Sequence, residues 1–205
     1  MSGMLAKRII ATILMMLMPA IAAARDYALT LYAGYRDGGN FTDVDTDQSL
    51  GLDGSGAVSL ALDIGLDTSR QYQIFFSHQQ TDLSLNGVPS AGAPEIAMSV
   101  SYLHIGGTYF WEGGVNKGPY AVGGIGVTYF DPSDGFDDEL RPSLNLGLGY
   151  QLPLGKTVAL RFEARGYATL VNSNGGLFCS GGCVISISGD VVTQGEVMVG
   201  LSTRF

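Results

Sequence analysis

Three charged side chains stand at alternate positions in the stretch VALRFEARGY, residues 158 to 167: Arg161, Glu163 and Arg165. Leu160, Phe162 and Ala164 lie between them. Spacing of two places the three charges on one face of a β-strand, where they suit either a buried ion-pair network or a narrow polar path for ions or water. Charges withdrawn from water require partners. Asp63, Glu196 and Arg204 sit in other alternating stretches and are the candidates to complete a lumen charge network.

The remaining residues capable of chemistry are few. His78 has Ser77, Ser84 and Asp82 close in sequence, the residue types of a hydrolase triad. Adjacent strand residues point to opposite faces, however, so Ser77 is not positioned for His78. His78 and His104 are therefore read as polar interfacial or lumen side chains, and no catalytic residue is assigned. Asp43, Asp45 and Asp47 in TDVDTDQ have the spacing that opens a calcium loop. Gln48 stands where that loop needs Gly and no Glu follows at its twelfth position, so the segment reads as a solvated acidic loop, joined by Asp134, Asp137 and Asp138. Cys179 and Cys183 in FCSGGC are read as one local disulfide. No His or further Cys stands near them for a metal, and a redox motif has a two-residue spacer. No metal and no cofactor is expected.

The elements that position these residues follow from the chain as a whole. It has 205 residues, 30 of them Gly and 10 Tyr, with 15% charged and a positive mean hydropathy. That is one β-rich domain with much apolar surface to cover. Lys7 and Arg8 precede IIATILMMLMPAIAAA, which closes on small residues, so residues 1–24 read as a cleaved signal peptide and residues 25–205 as the mature domain. Removing the signal leaves nine Lys and Arg against 19 Asp and Glu, a net charge of −10. This speaks against a nucleic-acid or anionic-lipid partner. No apolar run of about 18 residues follows the signal, so any membrane crossing must be made by strands.

Eight segments alternate in polarity: 26–36, 49–66, 71–80, 98–111, 119–130, 143–152, about 157–170 and 193–205. In the second, Leu50, Leu52, Val58, Leu60, Leu62 and Ile64 are expected on one face. The fourth changes phase near Tyr102, which a bulge would explain, and the glycines of the fifth blur its phase. Connections at 67–70, 112–118 and 152–156 are short, and those around 37–48, 82–97, 131–141 and 171–190 are long. Their alternation is that of outer-membrane barrels with short periplasmic turns and long outer loops. A secreted sandwich or lipocalin-like barrel would need no such parity. Tyr27, Tyr35, Tyr109, Trp111, Tyr120, Tyr129 and Tyr150 lie near strand ends, as two interfacial girdles require.

The last segment ends the chain in VMVGLSTRF, with Val199, Leu201, Thr203 and the terminal Phe205 in alternation. On this motif and the eight-segment pattern the chain resembles the small eight-stranded outer-membrane β-barrel proteins of the OmpA-type and OmpX-type superfamily. GYATLVNSNGGLFCSGGC is similar to members without an assigned activity. The resemblance implies an antiparallel up-and-down transmembrane β-barrel in the outer membrane of a Gram-negative bacterium. It implies Val199, Leu201, Thr203 and Phe205 as the signal read by the outer-membrane assembly machinery, with outer-membrane lipids and lipopolysaccharide as the other partners of a monomer. The expected role is structural or surface-interactive, with the lumen plugged by charged residues. A narrow porin-like channel and a lipid A-modifying enzyme are the alternatives.

Overall fold

The computed structural model describes residues 26–42, 49–85, 96–111, 114–115, 117–133, 137–171 and 191–205. The signal segment, Asp43, Asp45, Asp47, Cys179 and Cys183 lie outside the described residues. Ten strands follow one another: β1 (Tyr27–Gly38), β2 (Asn40–Thr42), β3 (Ser49–Leu52), β4 (Ser55–Gly65), β5 (Arg70–Leu85), β6 (Ile96–Phe110), β7 (Gly118–Pro132), β8 (Glu139–Pro153), β9 (Val158–Leu170) and β10 (Val191–Arg204).

Eight of these, all but the short β2 and β3, form an antiparallel ring in which each long strand pairs with the long strands before and after it. The ring closes between β1 and β10, where Ala28 lies opposite Arg204 and Gly38 opposite Gln194. Closure removes the exposed strand edges that a lipid environment cannot satisfy. A strand of 13 residues such as β9, at ~3.3 Å per residue and tilted ~45°, rises about 30 Å, the thickness of a bilayer's hydrocarbon core. No helix among the described residues is long and apolar enough to cross a membrane.

Alternation sorts each strand into two faces. On β9, Arg161, Glu163, Arg165, Tyr167 and Thr169 are buried in the lumen while Phe162 is half exposed on the outer wall. Leu31, Ile105, Ile125, Leu146, Leu148 and Val197 likewise project outward from mid-strand, each more than 60% exposed. Apolar residues therefore cover the outside and polar residues fill the inside, the reverse of a soluble barrel.

Two expectations about phase are corrected. Strand β6 carries no bulge: its register with β5 runs unbroken from Arg70 opposite Tyr109 to Leu83 opposite Ile96. The apparent phase change near Tyr102 arises because Met98, Val100 and Tyr102 are apolar residues that face the lumen, where they are buried. Segment 49–66 is the one that is interrupted. Leu52 pairs with Leu83 and Ala57 with Gln79, so five steps along the β3–β4 side match four along β5. One extra residue at Asp53 and Gly54 makes a bulge that reverses the phase. Leu52 consequently turns inward and is buried, whereas Val58 and Leu60 face out.

Candidate functional site

Among the described residues the lumen holds three ion pairs, each built around one carboxylate. Asp63 on β4 accepts from Arg161 Nη1 at 2.6 Å and from Gln73 Nε2 at 2.8 Å. Glu163 on β9 accepts from Arg165, which lies two residues along the same strand, through Nη2 at 2.5 Å and Nε at 2.7 Å. Glu196 on β10 accepts from Arg36 on β1, its direct cross-strand neighbour, through Nη2 at 2.9 Å and Nε at 3.1 Å. All six side chains are fully buried. Three cations balance three anions, so the network is neutral.

Neutral side chains tie the pairs into one array. Gln73 donates to Asp63 while its Oε1 accepts from Arg165 Nη2 at 3.0 Å, joining the first pair to the second. Arg161 Nε donates to Gln151 Oε1 at 2.6 Å. Tyr32 and Tyr120 both donate to Glu163 Oε2, at 3.2 and 2.8 Å, and Tyr167 donates to Glu196 Oε2 at 2.6 Å. Ser77 meets Arg36 and also accepts from Ser59 at 2.8 Å. Such saturation offsets the cost of withdrawing six charges from water.

Glycines make room for this arrangement. Gly149 lies opposite Tyr120, and Gly200 opposite Tyr32. A Cβ at Gly149 would stand 2.3 Å from the Tyr120 ring, and one at Gly200 would stand 2.4 Å from the Tyr32 ring. The two tyrosines thus lie across bare backbone to reach Glu163, an aromatic covering of glycine on a neighbouring strand. Aromatic rings also cover the guanidinium groups. Arg36 sits 4.8 Å from the Tyr102 ring centre and 4.9 Å from that of Tyr167, and Arg165 lies 3.7 Å from Phe75. These are cation–π distances.

Of the residues proposed from sequence, Asp63, Arg161, Glu163, Arg165 and Glu196 come together here. Arg204 does not. It stands opposite Ala28 at the inner end of β10, below the lumen layers, and donates to the Lys156 carbonyl at 3.0 Å. Glu196 pairs with Arg36, which sequence reasoning missed even though alternation from Ala28 through Thr30, Tyr32 and Gly34 places Arg36 inward. Tyr120, expected in the interfacial girdle, is buried in the lumen instead. Tyr35, Tyr109, Trp111, Tyr129 and Tyr150 do face outward. Val199, Leu201 and Thr203 project outward on β10, and Phe205, just beyond it, is exposed and stacks on Tyr27 with ring centres 6.2 Å apart.

The histidines stand in different settings. His104 is buried, with Nε2 3.0 Å from Ser143 Oγ and its ring stacked on Tyr102. His78 faces the outer wall, and its Nδ1 lies 2.9 Å from Ser101 Oγ on β6, the residue opposite it. Ser77 points inward, as expected of a strand neighbour. Among the described residues no group of three or more His, Cys, Asp or Glu could hold a metal ion.

No protein-family model and no curated protein matches the sequence. Solved structures do match the fold. Neisserial surface protein A superposes with a TM-score of 0.60 at 11% identity, over 88% of this chain and 97% of that one. The outer membrane protein OprG from Pseudomonas aeruginosa gives 0.54 at 13%, over 89% and 96%. AlkL, solved in lipid bilayers, gives 0.51 at 13%, over 88% and 90%. With its apolar outer wall and polar interior, the chain is an eight-stranded transmembrane β-barrel of the outer-membrane type.

Proposed function

We propose that the protein is a structural, non-enzymatic barrel of the outer membrane whose lumen is plugged and whose outer end is the working surface. The observation that carries this reading is the closed hydrogen-bond array of Asp63, Glu163, Glu196, Arg36, Arg161 and Arg165. Every charge in it is fully buried and paired, so none is left to escort an ion. The charge distribution supports a role for the outer end. Asp37, Asp53, Asp82, Asp131, Asp137, Asp138 and Glu139 stand there among the described residues, and Arg141, bound to Glu139 at 2.7 Å, is the one described cation. An acidic rim of this kind suits divalent cations shared with lipopolysaccharide phosphates, and hence a part in holding the envelope together.

Two measurements test this. The refolded protein should be silent in planar bilayers, and steady ohmic steps would replace the plug with a narrow channel. Cells lacking the protein should become sensitive to chelator and detergent. The triple variant Asp131→Asn, Asp137→Asn, Asp138→Asn should insert normally but fail to restore resistance. Full rescue by that variant would remove the acidic rim from the reading.

A further inference from the structure

The inner mouth of the barrel, at the end of the short turns, carries more cations than acidic side chains among the described residues, the acids being Asp26 and Asp67. Its described cations are Arg70, Lys117, Lys156 and Arg204, and Arg70 is taken up by Asp67 at 2.6 Å. The other three line a single pocket of about 220 Å³ together with Gln151, Thr157 and Ser202. Lys117 and Lys156 are the only lysines after the signal segment, and both are here. No ion pair engages Lys117, Lys156 or Arg204 among the described residues. In a chain so rich in acids, three cations around one cavity with no carboxylate among its described lining residues form a local exception.

The neutral lining has the same polarity. Gln151 is buried, and its Oε1 is committed to Arg161 Nε at 2.6 Å. What it can offer the pocket is its amide N–H. Ser202 and Thr157 add hydroxyl donors. The Arg204 Nη2 holds the Lys156 carbonyl at 3.0 Å, which ties the C-terminal strand to the β8–β9 turn and leaves the remaining guanidinium donors for a ligand. Two ammonium groups, a guanidinium fork and neutral donors around a cavity are the chemistry that recognises an anionic phosphate oxygen set.

We propose that this mouth is a binding site for a phosphate group presented from the periplasmic side, carried either by a soluble solute or by an inner-leaflet lipid headgroup. Both lysines sit on exposed turns, so their replacement leaves the barrel wall intact. The experiment follows the methylated lysine resonances of the refolded full barrel. In neutral micelles it is titrated with inorganic phosphate, and in nanodiscs phosphatidylglycerol is compared with phosphatidylcholine. Saturable shifts with phosphate in micelles identify a soluble source. Shifts only with phosphatidylglycerol identify the lipid. In either case Arg204→Gln and the single variants Lys117→Gln and Lys156→Gln, read at the remaining lysine, should weaken binding at least ~10-fold, and Arg141→Gln at the outer end should change nothing. Heat-modifiable gel migration confirms that each variant is folded. If neither probe moves the lysine resonances, or if Lys117→Gln and Lys156→Gln both bind like the parent, the site does not exist.

Discussion

Tyr120 reaches past strand β8 to donate its hydroxyl hydrogen to Glu163 Oε2 at 2.8 Å, lying across Gly149 as it does so. A tyrosine on β7 and a carboxylate on β9 are thereby linked over the one position where the intervening strand has no side chain. Tyr120→Phe should cost about 1.5–3 kcal/mol, the range for a hydrogen bond to a charged group. Gly149→Ala should cost about 1–3 kcal/mol by overpacking the Tyr120 ring. Urea unfolding from lipid vesicles measures both. A Gly149→Ala protein as stable as the parent would mean that the ring does not lie on that glycine.

The two faces of β9 differ in what they tolerate. Phe162→Arg places a charge on the lipid wall and should cost about 2–4 kcal/mol near the midplane. Arg161→Leu strands the buried Asp63 carboxylate and should cost about 3–5 kcal/mol. The double variant Arg161→Leu, Asp63→Leu should recover most of that loss, since a buried pair replaced by apolar residues is often near neutral. Unfolding midpoints of the parent, Arg161→Leu, Asp63→Leu and the double variant decide it. Additive losses in the double variant would deny the pairing.

His78 and Ser101 are 2.9 Å apart on the outer wall, the one histidine–serine contact that faces lipid among the described residues. As a mutual satisfaction of two polar groups it requires no chemistry. Mass spectra of lipid A from cells expressing the parent and Ser101→Ala should therefore be identical. An acyl chain lost only in the parent would make the barrel an enzyme.

The turn before β5 carries a pH response at the inner end. Asp67 accepts from Arg70 Nε at 2.6 Å and from the backbone N–H groups of Ser69 and Arg70, both at 2.9 Å. The Arg70 side chain, followed by the Ser69 amide, holds its carboxyl below the usual carboxylate range. A depressed pKa means that the turn's stabilisation is present above the unfolded value of about 3.9 and is lost as pH falls through the lower folded value. Amide shifts of Ser69 and Arg70 should stay constant down to about pH 4 and move only below it. Asp67→Asn should abolish the titration, and a midpoint above the usual carboxylate range would contradict the geometry.

Much of this architecture is legible in the amino-acid sequence, for a definite reason. A period of two assigns sides, and alternating short and long connections count the strands, so the eight-stranded barrel and the inward face of Arg161, Glu163 and Arg165 need no coordinates. Alternation misleads where an interior layer is itself apolar. On β6 the lumen-facing Val100 and Tyr102 pack with Phe130 while Ser99 and Ser101 point outward, and a local pattern cannot distinguish that interior layer from the lipid wall. It also fails at Asp53 and Gly54, where the bulge changes phase without changing composition.

Height along the barrel axis was decided only by the tertiary structure. Closing the sheet fixes the stagger between strands, and that stagger sets which charges share a layer. It brings Arg36 level with Glu196 and Asp63 within reach of Arg161, and it drops Arg204 out of the network to the inner mouth. The sequence by itself settled the inward face of β9 and the count of charges. Their partners depended on a register that no single strand encodes.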